Sequence, residues 1–216
     1  MNIIFGSASG IGQSLYQEYS TNKDEVFGID HVESSTTNYI YNLENAQNIS
    51  ELVTHLKDSN IKSITFCASN QNKEDSVEDI FNTNVLTFIE FINLIYSKLD
   101  GCIISAISSV HSISSNPSNL YYSSSKAALE AAIRNLAIKK SNNSFYVIRL
   151  GATDTKKLRE NIDDIESLSS LLPTGNVFDK KEVSNFIYTL NTKFKNLLNG
   201  AVIQIDNGVL SMLKTN

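Results

Sequence analysis

Short apolar runs alternate along this chain with longer stretches whose apolar residues recur at three- and four-residue spacing. A short apolar run predicts a buried strand, and three-and-four spacing predicts an amphipathic helix. The predicted strands are 2–5, 26–29, 39–41, 61–67, 101–108, 145–150 and 201–206. The predicted helices include one through Ile11, Leu15 and Tyr19, one around 49–56, 77–99, 120–139, and one that begins at Lys180.

The alternation of these elements predicts the fold class. Strands that alternate with helices form parallel βαβ units, with helices on both faces of one sheet. The 216 residues, of which 41% are hydrophobic, are enough to bury one substantial core. No repeat, low-complexity tract or linker divides the chain. We therefore expect a doubly wound α/β protein with a single domain, 1–216.

The charge balance narrows the partners and the location. The net charge is −5 and the isoelectric point is about 5.2, without a basic cluster, which argues against nucleic acid or an anionic membrane surface as partner. The first residues, MNIIFGS, lack the basic segment and following apolar stretch of a signal peptide. No apolar run approaches the ~18 residues of a membrane span. A soluble, cytoplasmic protein is expected.

The cysteines and histidines do not predict a metal site or a disulfide. Cys67 and Cys102 lie in apolar, strand-like segments, where a free cysteine usually packs as a small hydrophobic residue. His31, His55 and His111 are far from one another and from any cysteine pair in the sequence. We expect neither a metal nor a catalytic cysteine.

A glycine-rich turn joins the first predicted strand to the first predicted helix. Gly6, Gly10 and Gly12 allow a tight turn in which backbone N–H groups approach phosphates, and Ser9 and Ile11 complete the loop. The helix N-terminus adds a partial positive charge. The alternative is an ordinary tight turn. In this strand-turn-helix context, the motif predicts a Rossmann-type domain that binds a dinucleotide.

Asp30 ends the second predicted strand. A carboxylate there accepts hydrogen bonds from both ribose hydroxyls of NAD and repels the 2′-phosphate of NADP. Ser9 precedes Gly10 and His31 follows Asp30, so no arginine or lysine stands at either position to neutralise that phosphate. Asp30 therefore predicts that the protein binds NAD in preference to NADP. The alternative is that Asp30 is only a solvent-exposed polar residue at the end of a strand.

Tyr122 and Lys126 stand four residues apart in a predicted helix, which puts both side chains on one face. A neighbouring ammonium favours the phenolate, so we expect the pKa of Tyr122 to fall below its usual value. Ser109 could then hold a substrate oxygen. The alternative is a surface helix with an incidental tyrosine and lysine, because a bare YxxxK string arises often by chance.

Several further motifs follow one order along the chain. They are GSASGIG at 6–12, Thr83-Asn84-Val85, IISAISSV at 103–110, YYSSSK at 121–126, RLGATDT at 149–155 and Asp206-Asn207-Gly208. In this order the chain resembles the short-chain dehydrogenase/reductase family over nearly its full length. Ser109 precedes Tyr122 by 13 positions, as is common in that family, which favours Ser109 over Ser108.

The resemblance implies both the reaction and its residues. It implies hydride transfer between a nicotinamide and a carbonyl or alcohol carbon, with Tyr122 as general acid or base. The implied catalytic residues are Asn84, Ser109, Tyr122 and Lys126. The implied cofactor-binding residues are Gly6, Ser9, Gly10, Ile11, Gly12, Asp30, Ala68, Tyr122, Lys126, Gly151, Thr153 and Thr155. The implied substrate contacts are Ser109 and Tyr122. His111, two residues beyond Ser109, is a further candidate at the edge of the substrate pocket, although a loop histidine without a further role is the favoured alternative.

Three positions depart from the family pattern. Leu150 replaces a proline before Gly151, Ser69 replaces the glycine of an NNAG motif, and Asn42 stands where an aspartate often meets the adenine. None of them is one of the four implied catalytic residues. They bear on cofactor affinity more than on the chemistry.

The segment 156–176 is expected to form a substrate lid. Its apolar residues recur at helical spacing and predict one buried side, although an ordinary surface helix is the alternative. They are Leu158, Ile162, Ile165, Leu168, Leu171 and Leu172. The short chain favours a small or medium carbonyl or alcohol compound as substrate.

The family resemblance also implies a homodimer or homotetramer. The two helices that pair between subunits are expected to carry more apolar surface than one sheet face needs. The residues in question are Phe88, Phe91, Ile92, Ile95, Ala128, Ala131 and Ala132.

Two other functions remain open. One is a catalytically silent NAD(P)-binding regulatory or scaffold protein. The other is a sugar-nucleotide epimerase of the extended type, whose glycine loop and length fit less well.

Overall fold

A seven-stranded parallel sheet forms the centre of the molecule. The computed structural model describes residues 1–41, 49–114, 117–162 and 164–212. Its strands are β1 (Asn2–Phe5), β2 (Val26–Asp30), β3 (Tyr39–Ile40), β4 (Ser63–Phe66), β5 (Ile103–Ser109), β6 (Ser144–Leu150) and β9 (Val202–Ile205). Their order in the sheet is β3-β2-β1-β4-β5-β6-β9. The predicted doubly wound α/β fold is confirmed.

Helices cover both faces of the sheet, so there are two cores. The helices are α1 (Gly10–Thr21), α2 (Ile49–His55), α3 (Val77–Phe81), α4 (Thr87–Ile95), α5 (Leu120–Ala137), α6 (Lys156–Asn161), α7 (Ile165–Ser170), α8 (Lys180–Lys193) and α9 (Val209–Met212). One core includes Leu52, Phe91 and Leu129 from α2, α4 and α5. The other includes Leu15 and Ile187 from α1 and α8. Because both faces are covered, central strands such as β5 are buried at every position.

A second, small sheet was not predicted. β7 (Thr153–Asp154) pairs in parallel with β8 (Phe178–Asp179). Each strand has only two residues, too few for a hydrophobic period to show in the sequence. The pairing joins the two ends of the predicted lid segment at its base.

Inside the predicted lid, the apolar residues are half-buried or exposed, and none of them is fully buried. The segment forms two short helices, α6 and α7, neither of which buries a residue. Ile162 follows α6 with extended dihedrals (φ −130°, ψ 113°), which interrupts the helical spacing, and Leu171 is 71% exposed.

The predicted helix 77–99 is also subdivided. A π-helical turn, Asn82–Leu86, separates α3 from α4. The apolar residues that we expected to be spare subunit-contact surface on α4 are instead in the core of this chain. Phe88, Phe91, Ile92 and Ile95 are all at most 1% exposed, so that part of the oligomer argument is wrong. Asn42 lies outside the described residues.

Candidate active site

The predicted site residues follow the carboxyl ends of neighbouring parallel strands, so they meet at one edge of the sheet. Strand order reverses between β1 and β4, since the chain continues from β1 toward β3 on one side and from β4 toward β9 on the other. Ligands of open α/β sheets bind at such a switch point. The glycine loop after β1 lies at this place, which confirms the strand-turn-helix context of the motif.

Close packing requires the glycines of this loop. A Cβ on Gly12 would lie 2.0 Å from the carbonyl oxygen of Gly6, and a Cβ on Gly6 would lie 2.6 Å from the backbone nitrogen of Ala68. The loop therefore rests directly on the backbone that follows β4. No side chain fits at either position without displacing backbone atoms.

The N-terminus of α1 is suited to an anion. Ser9 is its N-cap residue but makes no side-chain capping bond, and the first turn carries no acidic residue. Gly10 has φ +55°, and a Cβ there would lie 3.5 Å from Cγ2 of Thr155, so Thr155 faces the loop across a narrow gap. Ile11 is half-buried in the first turn. Together with the close-packed glycines, these features fit the diphosphate of a dinucleotide.

Asp30 lies beside the glycine loop at the end of β2. Its Oδ2 accepts a hydrogen bond from the N–H of Ala8 at 2.8 Å, and its Oδ1 accepts one from the N–H of Val32 at 3.1 Å. The exposed His31 places Nδ1 3.1 Å from the same Oδ1. The carboxylate thus orders the loop, and its position at the end of the strand is the one expected for a ribose contact.

Tyr122 and Lys126 lie on one face of α5, as predicted. The Lys126 ammonium is 5.7 Å from the centre of the Tyr122 ring and donates a 2.9 Å hydrogen bond to the carbonyl of Ile107. Lys126 is only 2% exposed. Burial, together with the nearby charge of Lys157, lowers its pKa to about 7.

The expected direction of the Tyr122 pKa is wrong. Burial disfavours the phenolate and raises the pKa of Tyr122, and hydrogen bonds with Ser109 and Ser69 oppose that rise without overcoming it. Lys126 is itself buried and has a pKa of about 7, so it is only partly charged at neutral pH and does not offset the burial of the phenol. Tyr122 is accordingly a phenol at neutral pH.

Ser109 is the last residue of β5 and faces Tyr122. Its Oγ hydrogen-bonds with the tyrosine side chain and accepts a bond from the N–H of His111 at 3.2 Å, which caps the turn after the strand. His111 is half-buried, and its Nδ1 lies 3.3 Å from Oγ of Ser114. Burial lowers the pKa of His111. The predicted serine and tyrosine are therefore together, with the histidine beside them.

Asn84 is fully buried in the π-helical turn. Its Nδ2 donates to the carbonyl of Asn70 at 2.7 Å and to Oγ of Ser125 at 2.9 Å, and its Oδ1 accepts from the N–H of Asn70 at 2.5 Å. The amide thus reaches the residue before Lys126 and not the ammonium itself. π-helical turns often occur at functional sites. This one holds the Asn84 side chain between the backbone of Asn70 and helix α5.

The loop after β6 forms the opposite wall of the site. A Cβ on Gly151 would lie 3.0 Å from Cα of Asp206, so the turn packs closely on the segment after β9. Thr153 is buried in β7, and its Oγ1 donates to the carbonyl of Gly151 at 3.3 Å. Thr155 is the N-cap of α6, and its Oγ1 accepts from the N–H of Leu158 at 3.2 Å.

Two residues of the site were missed as functional residues. Ser69, noted only as a departure from the family, hydrogen-bonds Tyr122 through its side chain. Lys157 donates from Nζ to the carbonyl of Ser69 and is close enough to Lys126 to lower its pKa. A lysine two positions after Thr155 was the available signal.

The expectations for cysteine and metal bear on the same region. Both cysteines are free, and burial raises the pKa of each thiol to about 12, so neither is a nucleophile at neutral pH. Within the described ranges, no group of three or more histidine, cysteine, aspartate or glutamate side chains could hold a metal. Among the helices of those ranges, none has the length and apolar character needed to cross a membrane.

The family comparison decides the relationship. A model of short-chain alcohol dehydrogenase type, described as enoyl-(acyl carrier protein) reductase, matches residues 61–210. The chain belongs to the short-chain dehydrogenase/reductase family. Family membership supports NAD(P)-dependent oxidoreduction in general terms. A search of curated proteins found no significant relative.

Solved structures of this family share the fold at low sequence identity. A short-chain dehydrogenase family protein from Francisella tularensis subsp. tularensis SCHU S4 has a TM-score of 0.90 at 19% identity, covering 97% of this chain and 98% of that one. ElxO with NADP bound has a TM-score of 0.85 at 21% identity, covering 97% and 98%. The 3-alpha-hydroxysteroid dehydrogenase from Pseudomonas sp. B-0831 complexed with NADH has a TM-score of 0.85 at 17% identity, covering 99% and 98%.

Proposed function

We propose that this short-chain dehydrogenase/reductase transfers a hydride between NAD(H) and the carbonyl or alcohol carbon of a small or medium-sized molecule. The observation that carries the proposal is the convergence of Ser109, Tyr122 and Lys126 at the sheet edge that also holds the glycine loop. This combination supports a proton donor beside a cradle that fits a dinucleotide.

Tyr122 acts as the general acid of the reduction. When bound, the nicotinamide supplies or accepts the hydride. Tyr122 donates its phenolic proton to the oxygen on which negative charge develops, and Ser109 donates a hydrogen bond to the same oxygen. The raised pKa keeps Tyr122 protonated at neutral pH, which suits reduction. In oxidation, the phenolate must form first.

Lys126 resupplies the proton. A group with a pKa of about 7 can lose and regain a proton near neutral pH, and the carbonyl of Ile107 holds the ammonium under the tyrosine ring. Asn84 completes the proposed relay by binding a water on the path from Lys126 to solvent. The hydrogen bond to Ser125 keeps the Asn84 amide beside α5, the helix that carries Lys126.

The Tyr122→Phe variant tests this chemistry. We expect turnover in a screen of carbonyl compounds, followed through NADH oxidation, and a loss of kcat of at least about a hundredfold in the variant because its acid is missing. Binding of NADH, measured by its fluorescence, should be unchanged. Full activity of Tyr122→Phe would contradict the mechanism. Binding without turnover in the unmodified protein would favour a catalytically silent regulatory or scaffold protein.

Asp30 supports NAD as the preferred cofactor. Its buried carboxylate beside the loop repels a 2′-phosphate and accepts hydrogen bonds from ribose hydroxyls. Asp30→Asn retains acceptor capacity for the Ala8 N–H but removes the charge. We expect the ratio of kcat/KM for NADH to that for NADPH to fall by about tenfold or more. Glu33→Gln, at an exposed acid nearby, is the matched control, and an unchanged ratio in Asp30→Asn would contradict the assignment.

The remaining parts of the proposal concern the substrate and the assembly. Ser109, Tyr122 and His111 line the place where a substrate oxygen would meet the acid, and the segment 156–176 is proposed as the lid over it. A homodimer or homotetramer is proposed because Ala128, Ala131 and Ala132 leave a half-exposed surface on α5. A cytoplasmic location is proposed from the composition.

A further inference from the structure

Glu130 lies on α5 one turn beyond Lys126 and two turns beyond Tyr122, on the same helical face. The residue is only 2% exposed. A glutamate is almost never this buried unless it is paired. Neither the proposed chemistry nor the family motifs use Glu130.

The carboxylate of Glu130 binds three side chains from two strand ends. Its Oε1 accepts hydrogen bonds from Oγ of Ser108 at 2.7 Å, from Oγ of Ser112 at 2.5 Å and from Nε of Arg149 at 3.1 Å. Its Oε2 accepts from Nη2 of Arg149 at 2.6 Å. Nη1 of Arg134 approaches from the surface at 3.7 Å. The charge is therefore balanced in place, and Arg149 lowers the pKa of Glu130 despite burial.

These contacts surround the proposed catalytic serine. Ser108 and Ser112 lie on either side of Ser109 in the chain, so the carboxylate fastens both the end of β5 and the turn after it to α5. Tyr122 is on that helix. The separation of Ser109 from Tyr122 is thus fixed by bonds on both sides of the serine.

The arginine extends the same connection to the cofactor wall. Arg149 is followed directly by Leu150 and Gly151, where the family has a proline that would restrain the backbone. Its Nη1 donates to Oε1 of Gln204 at 3.3 Å, and Gln204 donates to Asp206 at 2.9 Å. Through Arg149, Glu130 holds the end of β6 against both α5 and β9.

We propose that Glu130 is a positioning residue for the reaction: it holds the Ser109 hydroxyl and the Gly151 turn in register with Tyr122. The proposal rests on the proposed function for its consequence in catalysis. Its structural half, the coupling of Glu130 to the environment of Tyr122, can be measured in the cofactor-free protein. A purely stabilising role would leave that environment unchanged.

Three variants separate positioning from stability. Glu130→Gln removes the charge that pairs with Arg149. Ser112→Ala removes the hydrogen bonds that join the Ser112 hydroxyl to Glu130 and Arg149 and keeps the ion pair, so it is the variant to use if Glu130→Gln does not fold. Arg134→Gln is the control, because its side chain is 53% exposed and contacts the same carboxylate without connecting it to a strand end.

The first readout is the NMR signal of Cζ of Tyr122 in protein with 13C-labelled tyrosine, assigned by its absence in Tyr122→Phe. We expect this signal to shift in Glu130→Gln and Ser112→Ala and to stay in place in Arg134→Gln. A Tyr122 signal that is unmoved in a folded Glu130→Gln variant, or in Ser112→Ala if Glu130→Gln does not fold, would overturn the proposal.

The second readout is steady-state kinetics with a carbonyl compound that the unmodified enzyme reduces. Misplaced catalytic groups lower kcat by up to about a hundredfold, and we expect a loss of about tenfold or more in Glu130→Gln with KM and NADH affinity nearly unchanged. A lower thermal midpoint with unchanged kcat would also overturn the proposal. If no carbonyl compound is reduced, the proposed function fails, and the NMR signal still decides whether Glu130 positions Tyr122.

Discussion

Burial acts in opposite directions on the two central side chains of the site. It raises the pKa of Tyr122 because the phenolate loses hydration, and it lowers the pKa of Lys126 because the ammonium loses hydration. The charged form is disfavoured in both cases. At neutral pH the site therefore holds a protonated phenol beside an amine that titrates near 7, an arrangement suited to delivering a proton and replacing it.

Lys157 provides a test of this balance. Burial is the main cause of the low pKa of Lys126, and the like charge of Lys157 adds to it. Lys157→Met removes that charge, so the pKa of Lys126 should rise above about 7. In the proposed mechanism reduction needs Lys126 protonated, so reductase activity should decline at higher pH in the variant than in the unmodified protein. The pH profile of kcat is the measurement.

The neighbouring lysine gives the matched control for that profile. Lys156 is directed to Glu160, 3.5 Å away, with a side chain that is 82% exposed. Lys156→Met should leave the pH profile in place. Equal shifts in both variants would mean that net charge, and not the position of Lys157, sets the pKa of Lys126.

At the scale of elements, α5 has two different sides. Tyr122, Lys126 and Glu130 share the side that faces β5 and β6, where the proposed chemistry lies. Ala128, Ala131 and Ala132 are half-exposed, and small side chains let another helix approach closely. The same helix can therefore serve the site and a subunit contact, even though the large residues of α4 are internal.

Light scattering tests the subunit contact. We expect the mass of a dimer or tetramer for the unmodified chain, and a lower mass for Ala131→Glu because it places a charge on the apolar surface. Thr192→Glu, on the exposed side of α8, should keep the mass of the unmodified chain. A monomer at micromolar concentration in the unmodified chain would rule out the proposed assembly.

Across the whole molecule, local patterns predicted the sheet and most of the residues that meet at the candidate site. The glycine loop could be read from the sequence because close packing of Gly6 and Gly12 leaves no room for a side chain. Tyr122 and Lys126 could be paired because a helix sets the geometry of residues four apart. Each of these features depends on only a few consecutive residues.

Features that depend on distant contacts could not be predicted. Asn84 in the π-helical turn donates a hydrogen bond to the carbonyl of Asn70. Glu130 forms its salt bridge with Arg149, and Lys157 donates to the carbonyl of Ser69. Each pair joins segments that meet only after the sheet has assembled. The predicted direction of the Tyr122 pKa shift was wrong for the same reason, because the burial of Tyr122 arises only in the assembled site and cannot be seen in the spacing of residues in one helix.

The pairing of β7 with β8 has an evolutionary consequence. It holds Asp154 beside Asp179, so the chain leaves and re-enters the body of the protein at one point. The entropic cost of a loop closed in this way grows only slowly with its length. Relatives could therefore lengthen, shorten or exchange the intervening segment at little cost to stability, and so acquire new substrates while the proposed proton-transfer residues stay in place.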